Sequence, residues 1–344
     1  MAWGNVKMKK IIITGVNGII GSELRRRFID KDYYVIGVDR TEPKEKEANG
    51  ERGQFKYVKL DITDKDKMRQ FFSDLSFDYL IHCAALVHKN SPDLSFDNFM
   101  KINFEGTKNI FDSVVGNKSN SGFRGAVFFS TIEVYGGEGR DGVISEGDEC
   151  RPITFYGKSK LAAEEYLLKL NKESKLPIII LRLAPVYSED FLRNVKRRVL
   201  VAAERFFYRV GDGEQKISLC SRDNVFDVVE ACIEDKVPFG EVFNISDDRV
   251  YSFNDLSNYF RELVGGNRTT VKIPKCIVYL GVKFLSLIFS GRKERLLSIY
   301  YKLTKDNVYS IEKAKKYFSY NPKWNFENTI LKDRKILKDD KKSI

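Results

Sequence analysis

A β-branched run that breaks into three spaced glycines constrains the fold of this chain more than any other feature. The run Ile11-Ile12-Ile13-Thr14 is followed by Gly15, Gly18 and Gly21, and a helical pattern then begins. Gly15 can adopt a backbone conformation closed to other residues, Gly18 lets the chain approach a pyrophosphate, and Gly21 allows a helix to pack closely on the strand. The N-terminus of the helix that follows would face the negative charge of the pyrophosphate. The pattern therefore predicts a dinucleotide-binding turn; the alternative is a glycine-tightened turn without a ligand.

The next strand-like run supports the dinucleotide interpretation. It extends from Tyr34 to Val38 and ends at Asp39, where a carboxylate can accept hydrogen bonds from a ribose diol. Asp39 would also repel a ribose 2′-phosphate, so the sequence favours NAD over NADP. Arg40 weakens this preference without reversing it.

The composition excludes several other classes of protein. With 344 residues and 42% hydrophobic content, the chain can form one large or two modest domains. The net charge of +11 is accompanied by no nucleic-acid motif, and we attribute most of it to solvated surfaces and a basic tail. Scattered cysteines and no apolar leader favour the cytoplasm. With only His82 and His88, and no close cysteine pair, we expect no metal site.

Strand-like and helical patterns alternate through the first half of the chain, which predicts an α/β fold with a Rossmann-type, doubly wound parallel sheet. We expect this NAD-binding domain to span residues 8–187. After about Ser188 the alternation stops, and residues 188–332 are expected to form mainly a smaller C-terminal α/β substrate-binding cap, with some segments returning to the sheet domain. Residues 333–344 form a basic tail. Ligands of such sheets lie beyond the carboxyl ends of the strands. The expected strands are 11–13, 34–38, 55–60, 79–83, 126–129 and 178–183, and the expected helices are 21–30, 65–75, 96–115 and 159–171.

Two further motifs carry candidate chemistry. Tyr156 and Lys160 are four residues apart and so lie on one face of a helix, where the ammonium favours the phenolate. Tyr156 could then exchange a proton with a substrate hydroxyl near neutral pH, whereas the simpler alternative is an ordinary surface pair. Thr131 follows a buried strand, and its hydroxyl could donate to the same substrate oxygen. Its simpler alternative is a cap of the strand or turn.

In combination these motifs resemble the extended short-chain dehydrogenase/reductases, in their sugar-nucleotide epimerase/dehydratase group. The resemblance covers the sheet domain and much of the cap. The matching segments are Thr14 to Gly21, Asp39, Asp61-Ile62, His82 to Ala85, Asn103 with Gly106-Thr107, Ser130-Thr131 with Val134 to Gly136, Tyr156 with Lys160, and Arg182 to Tyr187.

The resemblance implies roles for individual residues. Tyr156, Lys160 and Thr131 would be catalytic, and Asn103 would support the active-site helix, unless it makes only a hydrogen bond inside its own helix. Asp61 and Ile62 would contact adenine, although a turn carboxylate is the better interpretation of Asp61 without the resemblance. The expected NAD-binding set is Gly15, Asn17, Gly18, Ile19, Gly21, Asp39, Arg40, Asp61, Ile62, Ala84, Ala85, Lys160, Pro185 and Val186. Ala84 and Ala85 would line the pyrophosphate path, and Pro185 and Val186 the nicotinamide. The expected substrate-binding set is Val87, His88, Glu133, Asn194, Lys216 and Arg222.

The residues after Thr131 favour one reaction of the group. Dehydratases of the family place an Asp-Glu pair where this chain has Ile132-Glu133, and Ile132 cannot donate a proton. Glu133 leaves a decarboxylase-like route open. We therefore expect an NAD-dependent 4-epimerase of a diphosphate-linked hexose or N-acetylhexosamine, most readily a UDP-sugar, in surface-polysaccharide biosynthesis, and a homodimer as in the family. The alternatives are an NAD(P)H-dependent 4-ketoreductase and a non-catalytic NAD-binding protein.

Two features depart from a simple nucleotide-sugar enzyme. Many such epimerases carry an arginine for the substrate diphosphate where this chain has Ile217, so Lys216 or Arg222 would have to replace it. The second feature is an apolar run from Cys276 to Phe289 that precedes a basic cluster. It is too short to span a bilayer, and it fits either a core helix of the cap or a helix on an anionic membrane surface. Because some family members act on sugars carried by polyprenyl diphosphate, a lipid-linked substrate and a place at the inner membrane face stay open.

Overall fold

The computed structural model describes residues 8–43, 53–87, 95–136, 142–201, 206–234, 238–264, 268–289, 293–318 and 320–330. The chain divides into two compact units that interleave along the sequence. Unit 1 comprises Met1–Ser130, Lys158–Leu181 and Val229–Val242, and unit 2 comprises Thr131–Gly157, Arg182–Val228 and Phe243–Ile344. The expected domain boundaries at residues 187 and 332 stay a prediction, and the expected basic tail lies outside the described residues.

A seven-stranded sheet is the largest sheet of the described residues. Its strands are β1 (Lys10–Thr14), β2 (Tyr34–Asp39), β3 (Phe55–Lys59), β4 (Tyr79–His82), β5 (Gly125–Thr131), β6 (Ile178–Leu183) and β12 (Glu241–Ile245). Their order across the sheet is β12-β6-β5-β4-β1-β2-β3, and β1 pairs in parallel with both β2 and β4. The order steps outward from β1 in both directions, as in a doubly wound Rossmann-type sheet. The predicted fold class is confirmed, and each expected strand is present with ends shifted by no more than two residues.

Helices connect these strands. They are α1 (Ile19–Asp30), α2 (Lys65–Ser73), α3 (Phe96–Phe99), α4 (Gly106–Gly116), α5 (Phe155–Ser174) and α7 (Arg222–Glu234). The predicted helix from 96 to 115 is interrupted by a π-helical turn at Met100–Glu105. Alternate residues of neighbouring strands, such as Ile12, Ile36, Leu80, Phe128 and Ile180, form one buried core because side chains of a strand alternate between its faces.

The other elements are shorter. The strands are β7 (Val186–Tyr187), β8 (Leu200–Val201), β9 (Phe206–Val210), β10 (Lys216–Ser218), β11 (Cys220–Ser221), β13 (Val250–Ser252) and β14 (Thr270–Ile273). The helices are α6 (Arg193–Lys196), α8 (Phe253–Val264), α9 (Lys275–Ile288), α10 (Lys293–Thr304), α11 (Glu312–Phe318) and α12 (Phe326–Ile330). Tyr187, Phe207, Tyr251, Phe260 and Phe326 belong to the second buried core, which lies in unit 2.

Candidate active site

In unit 1, the glycine turn between β1 and α1 has a shape that side chains would prevent. Gly15 has φ +70°, and a Cβ there would lie 2.7 Å from the backbone of Ala84. A Cβ on Gly21 would overlap the carbonyl oxygen of Gly15. The Gly18 amide donates to that same carbonyl oxygen at 3.0 Å, and Ile19 is the first residue of α1. The turn therefore brings the helix N-terminus close to the strand end, as a pyrophosphate-binding turn requires.

Asp39, at the end of β2, lies against this turn. One carboxylate oxygen accepts from the Asn17 amide at 3.1 Å, and the other accepts from the amide and the hydroxyl of Thr41 at 3.0 and 2.9 Å. The Asn17 side-chain oxygen is buried and has no hydrogen-bond partner within the described ranges. The fold thus brings together a carboxylate suited to a ribose diol and a buried acceptor without a donor, while the adjacent Arg40 is exposed.

The segment after β4 meets the glycine turn through Thr14. The Cys83 amide donates to the Thr14 carbonyl at 3.1 Å, and Ala84 contacts Gly15 as described above. The Thr14 hydroxyl also bonds His82 Nδ1 at 2.6 Å, and His82 Nε2 bonds the Thr107 hydroxyl at 2.9 Å. Burial, with a smaller effect of Lys160, lowers the pKa of His82 well below its ordinary value, so this imidazole is a neutral structural link.

Asn103 connects this segment to helix α5. Its side chain accepts from the Leu86 amide at 2.7 Å and donates to the Leu86 carbonyl at 3.1 Å and to the Ser159 hydroxyl at 3.0 Å. The residue lies in the π-helical turn, a distortion that is frequent at functional sites. These contacts extend beyond its own helix, so Asn103 fixes the position of the α5 segment that carries Lys160.

Lys160 is almost fully buried in α5, at 2% exposure. Its ammonium lies 4.0 Å from the ring centroid of Phe128. Burial lowers the pKa of Lys160 to about 7, and the opposing influences of Glu164 and Cys83 do not restore it. A buried lysine that changes charge near neutral pH is typical of a functional position.

For the other unit 1 residues of the predicted site, the structure gives less support to the predicted contacts with cofactor or substrate. The Asp61 carboxylate accepts from the amide and hydroxyl of Thr63, both at 2.9 Å, and forms a turn. Ile62 is buried in the helix–sheet core against Gly106. Ala85 is partly buried, Val87 is exposed, and His88 lies outside the described residues. The predicted roles of these residues stay predictions.

In unit 2, Thr131 begins the 3₁₀ turn Ile132–Tyr135. Its hydroxyl oxygen accepts from the Glu133 amide at 3.2 Å. This is the capping bond that the simpler interpretation of Thr131 expects, yet it leaves the hydroxyl proton able to donate elsewhere.

Glu133 holds the 3₁₀ turn and the first turn of α5 together. One carboxylate oxygen accepts from the Lys302 ammonium at 2.8 Å, and the other accepts from the Thr154 hydroxyl at 2.8 Å. Thr154 in turn accepts from the Gly157 amide at 3.0 Å and so caps α5. A Cβ on Gly157 would lie 2.7 Å from the Glu133 carbonyl oxygen. We call Thr131, Glu133, Thr154, Gly157 and Lys302 the Glu133 bracket.

In the sequence, Tyr156 lies between two residues of the Glu133 bracket, Thr154 and Gly157. The Tyr156 side chain is partly buried. Burial, and then the negative charge of Glu133, raise the pKa of its phenol. The fold therefore favours the neutral phenol of Tyr156, whereas the spacing of Tyr156 and Lys160 alone suggests the phenolate. Tyr156 and Lys160 both lie in α5, four residues apart.

The remaining unit 2 residues of the predicted site are placed as follows. The Pro185 carbonyl accepts from the Cys220 amide at 3.1 Å, and Val186 pairs with Cys220 in β7 and β11. Arg222 donates to Asp190 at 3.0 Å. The side chains of Asn194 and Lys216 are exposed. Their predicted contacts with cofactor or substrate are not tested by these positions.

Three residues that interact with Glu133 lie outside the predicted site, namely Thr154, Arg198 and Lys302. Lys302 belongs to no motif, whereas a Thr before a helix, such as Thr154, is a known start signal that could have been used. Arg198 has a buried Nε without a hydrogen-bond partner in the parts of the chain described. Burial lowers the pKa of Arg198, and the charge of Glu133 is among the effects that oppose this.

Comparison with known proteins assigns a family to this geometry. The sequence profile of the NAD dependent epimerase/dehydratase family matches residues 11–246. A trifunctional UDP-glucose 4,6-dehydratase/UDP-4-keto-6-deoxy-D-glucose 3,5-epimerase/UDP-4-keto-L-rhamnose-reductase of Arabidopsis thaliana is 27% identical over 271 residues, which cover 75% of this chain but 40% of that protein. The UDP-glucose 4-epimerase of Vibrio cholerae is 27% identical over 255 residues, 72% of this chain and 74% of its own length.

Solved structures support the fold. The UDP-glucuronic acid 4-epimerase of Bacillus cereus, in complex with NAD, superposes with a TM-score of 0.71 at 22% identity. The superposition covers 93% of this chain and 95% of the other. At this identity the likeness concerns the fold alone.

Proposed function

The chain belongs to the NAD-dependent epimerase/dehydratase family, and on that premise we propose that it is an NAD-dependent 4-epimerase of a diphosphate-linked hexose or N-acetylhexosamine, with a UDP-sugar as the first candidate. We also propose a place in surface-polysaccharide biosynthesis and a homodimer, both on the sequence resemblance, and a cytoplasmic location on the scattered cysteines.

The residues of unit 1 fit a dinucleotide. The space that a Cβ would fill at Gly15 and Gly21, the Asp39 carboxylate beside the turn and the unsatisfied Asn17 oxygen match the needs of a pyrophosphate and a ribose. The glycine turn, Asp39, Ala84 and Lys160 would hold NAD. When bound, NAD supplies a hydride acceptor and donor for sugar carbon 4.

The residues of unit 2 would handle the proton. The Tyr156 phenol oxygen would take the proton of the sugar 4-hydroxyl and return it, and the Thr131 hydroxyl would donate to the same sugar oxygen. Because burial and Glu133 raise the pKa of Tyr156, its phenolate is a stronger base, and the phenol proton must pass to bulk water before the phenolate can take the proton of the sugar hydroxyl. Rotation of the keto sugar before hydride return would invert carbon 4.

One observation favours epimerisation over dehydration. Both oxygens of the Glu133 carboxylate accept hydrogen bonds within the Glu133 bracket, and the neighbouring Ile132 has no proton to donate. Dehydration needs an additional acid and base beside the sugar, whereas epimerisation needs the proton carrier alone. The bracket thus holds Glu133 in a positioning role.

The first experiment identifies the nucleotide released by denaturing the purified protein and then incubates the protein with UDP-N-acetylglucosamine without added cofactor. Released NAD and a 4-epimer would support the proposal. A protein that needs NADPH and a keto sugar would be a ketoreductase. Released NAD with inert nucleotide sugars would contradict a nucleotide-linked substrate and direct the search to lipid-linked sugars.

Tyr156→Phe tests the proposed proton carrier. We expect turnover to fall by about 10²- to 10⁴-fold while NAD is retained. Tyr34→Phe, which removes a phenol oxygen from a partly buried tyrosine of β2, is the matched control and should leave turnover unchanged. Near-full activity of Tyr156→Phe would refute the mechanism.

A further inference from the structure

Helix α9 exposes an apolar face instead of burying it. Ile277, Leu280, Phe284, Leu287 and Ile288 recur at the three- and four-residue spacing of one helix face. Each of these side chains is between 56% and 76% exposed. Single exposed apolar residues are common, but a contiguous exposed patch marks an interaction surface. We call these five residues the α9 face.

The packed side of α9 is the opposite one. Val282 is the buried side chain of this helix, and Val278 and Ser286, four residues to either side, are partly buried. The ring of Tyr279 packs edge-on against Tyr300 of α10, with centroids 5.7 Å apart. The interpretation of this segment as a core helix therefore holds for its inner side and fails for the α9 face.

The sequence of α9 and the residues directly after it are rich in positive charge. Residues 275–289 include Lys275 and Lys283 and no acidic residue. Lys275 forms an ion pair with Asp212 at 3.8 Å, whereas Lys283 is exposed. The sequence that follows, Ser290-Gly291-Arg292-Lys293-Glu294-Arg295, adds three basic residues and one acidic residue. A second copy of the chain packed on the same face would offer Lys283 no opposite charge from its own α9. An anionic lipid surface offers both an apolar layer and negative charge.

The length of the helix agrees with a surface position. At about 1.5 Å per residue, a helix of 14 residues extends roughly 21 Å, less than the roughly 30 Å of a bilayer core. No helix within the described residues has the length and apolar character to cross a membrane. From these observations we propose that the α9 face docks the protein on an anionic membrane surface, with α9 lying in the interface. The proposal does not depend on the reaction that the enzyme catalyses.

Vesicle binding tests the proposal without any assay of activity. The full-length protein is floated with vesicles of pure phosphatidylcholine and with vesicles containing 30% phosphatidylglycerol, a composition chosen to give a strong negative surface. We expect binding to the anionic vesicles that weakens with salt. Removing the exposed charge in Lys283→Gln should weaken binding by roughly fivefold, the contribution of one lysine near such a surface. The matched control is Lys172→Gln, which removes the same charge from an exposed position of α5 and should change binding little.

The apolar contribution is tested by Leu280→Gln/Phe284→Gln/Leu287→Gln, which should abolish flotation. Unchanged flotation of this variant would overturn the proposal, as would a wild type that ignores vesicles and forms a dimer that the triple substitution dissociates. Because the triple variant could misfold, Phe284→Trp provides an independent test that preserves the apolar helix. Its added tryptophan emission should shift to shorter wavelength with anionic vesicles, and an unshifted emission would refute burial of the α9 face in lipid.

Discussion

The glycine turn of unit 1 and the Glu133 bracket of unit 2 are fixed by opposite means. The turn owes its shape to missing side chains, because a Cβ at Gly15 or Gly21 would meet backbone atoms. The bracket owes its shape to side chains that are present, and its carboxylate meets a lysine 169 residues further along the chain. A steric requirement is visible in the residue type at one position, whereas a polar network depends on a partner that the local sequence does not indicate.

This difference implies different responses to substitution. A turn that tolerates no Cβ should fail completely when one is added, since neighbouring backbone cannot move aside cheaply. Substitutions in the Glu133 bracket should have graded effects. They should change the chemistry near Tyr156 before they destabilise the fold.

The largest effect is expected from Gly15→Ala. The substitution adds a Cβ 2.7 Å from the Ala84 backbone at a residue with φ +70°. We expect a loss of roughly 3 kcal/mol or more in the free energy of unfolding, together with loss of retained NAD. Thermal denaturation and nucleotide release measure both quantities.

Gly116→Ala is the matched control for this prediction. Gly116 ends α4, and a Cβ there would have no neighbour within 4 Å. We expect a change of about 0.5 to 1 kcal/mol at most, in the stabilising direction, since alanine restricts the unfolded chain. Equal losses in the two variants would show that the glycine turn has no special steric requirement.

A smaller effect with the opposite sign is expected at Lys160. Burial lowers the pKa of Lys160 to about 7 in the folded chain, below its ordinary value of 10.5. Between these two values the unfolded chain binds more protons, so the stability of the wild type should rise with pH through this window. Below pH 7 the buried charge costs stability in full, and Lys160→Met should then be more stable than the wild type by roughly 2 to 4 kcal/mol while losing turnover.

Chemical denaturation at pH 6.5 and pH 9 measures this difference. The advantage of Lys160→Met should shrink at the higher pH, where the wild type no longer buries a full charge. Lys158→Met, at a less buried position of the same helix, should show a constant difference from the wild type. A Lys160→Met variant less stable than the wild type at pH 6.5 would mean that the ammonium stabilises the fold.

The same division, between local steric requirements and contacts of residues far apart in sequence, separates what could be predicted from what could not. The strands, the glycine turn and the place of Asp39 could be predicted because they depend on neighbouring residues and on the period of two in a strand. The seventh strand, β12, could not be predicted, because strand-like and helical patterns do not alternate in its part of the sequence. It lies at the edge of the sheet, next to β6. The hydrogen bonds of Asn103 to Leu86 and Ser159 likewise join segments far apart in sequence.

Two physical quantities could not be predicted from residue order. One is exposure: the apolar run from Cys276 has the composition of a core helix, and the surrounding fold alone determines that the α9 face remains uncovered. The other is electrostatic environment. The spacing of Tyr156 and Lys160 suggests a lowered phenol pKa, but burial and Glu133 act in the opposite direction, and burial also lowers the pKa of the lysine.

The smallest and most specific effect concerns the Glu133 bracket. Glu133 raises the pKa of Tyr156, and Lys302 offsets its charge. Lys302→Met leaves the carboxylate without this cation, so the acid limb of the pH profile of kcat/KM should move to higher pH. Glu133→Gln removes the negative charge, so the same limb should move to lower pH. Each substitution should lower kcat by about tenfold, which corresponds to an increase of about 1.4 kcal/mol in the activation free energy.

The opposite directions distinguish positioning through charge from a merely structural role. Loss of packing alone would lower kcat in both variants without moving the limb in opposite directions. Lys323→Met removes an exposed ammonium from the same unit and should leave the pH profile unchanged. If both bracket variants shift the limb in one direction, Glu133 does not control the proton of Tyr156. The polar bracket would then resemble the glycine turn, a device that shapes the backbone and leaves the chemistry to other residues.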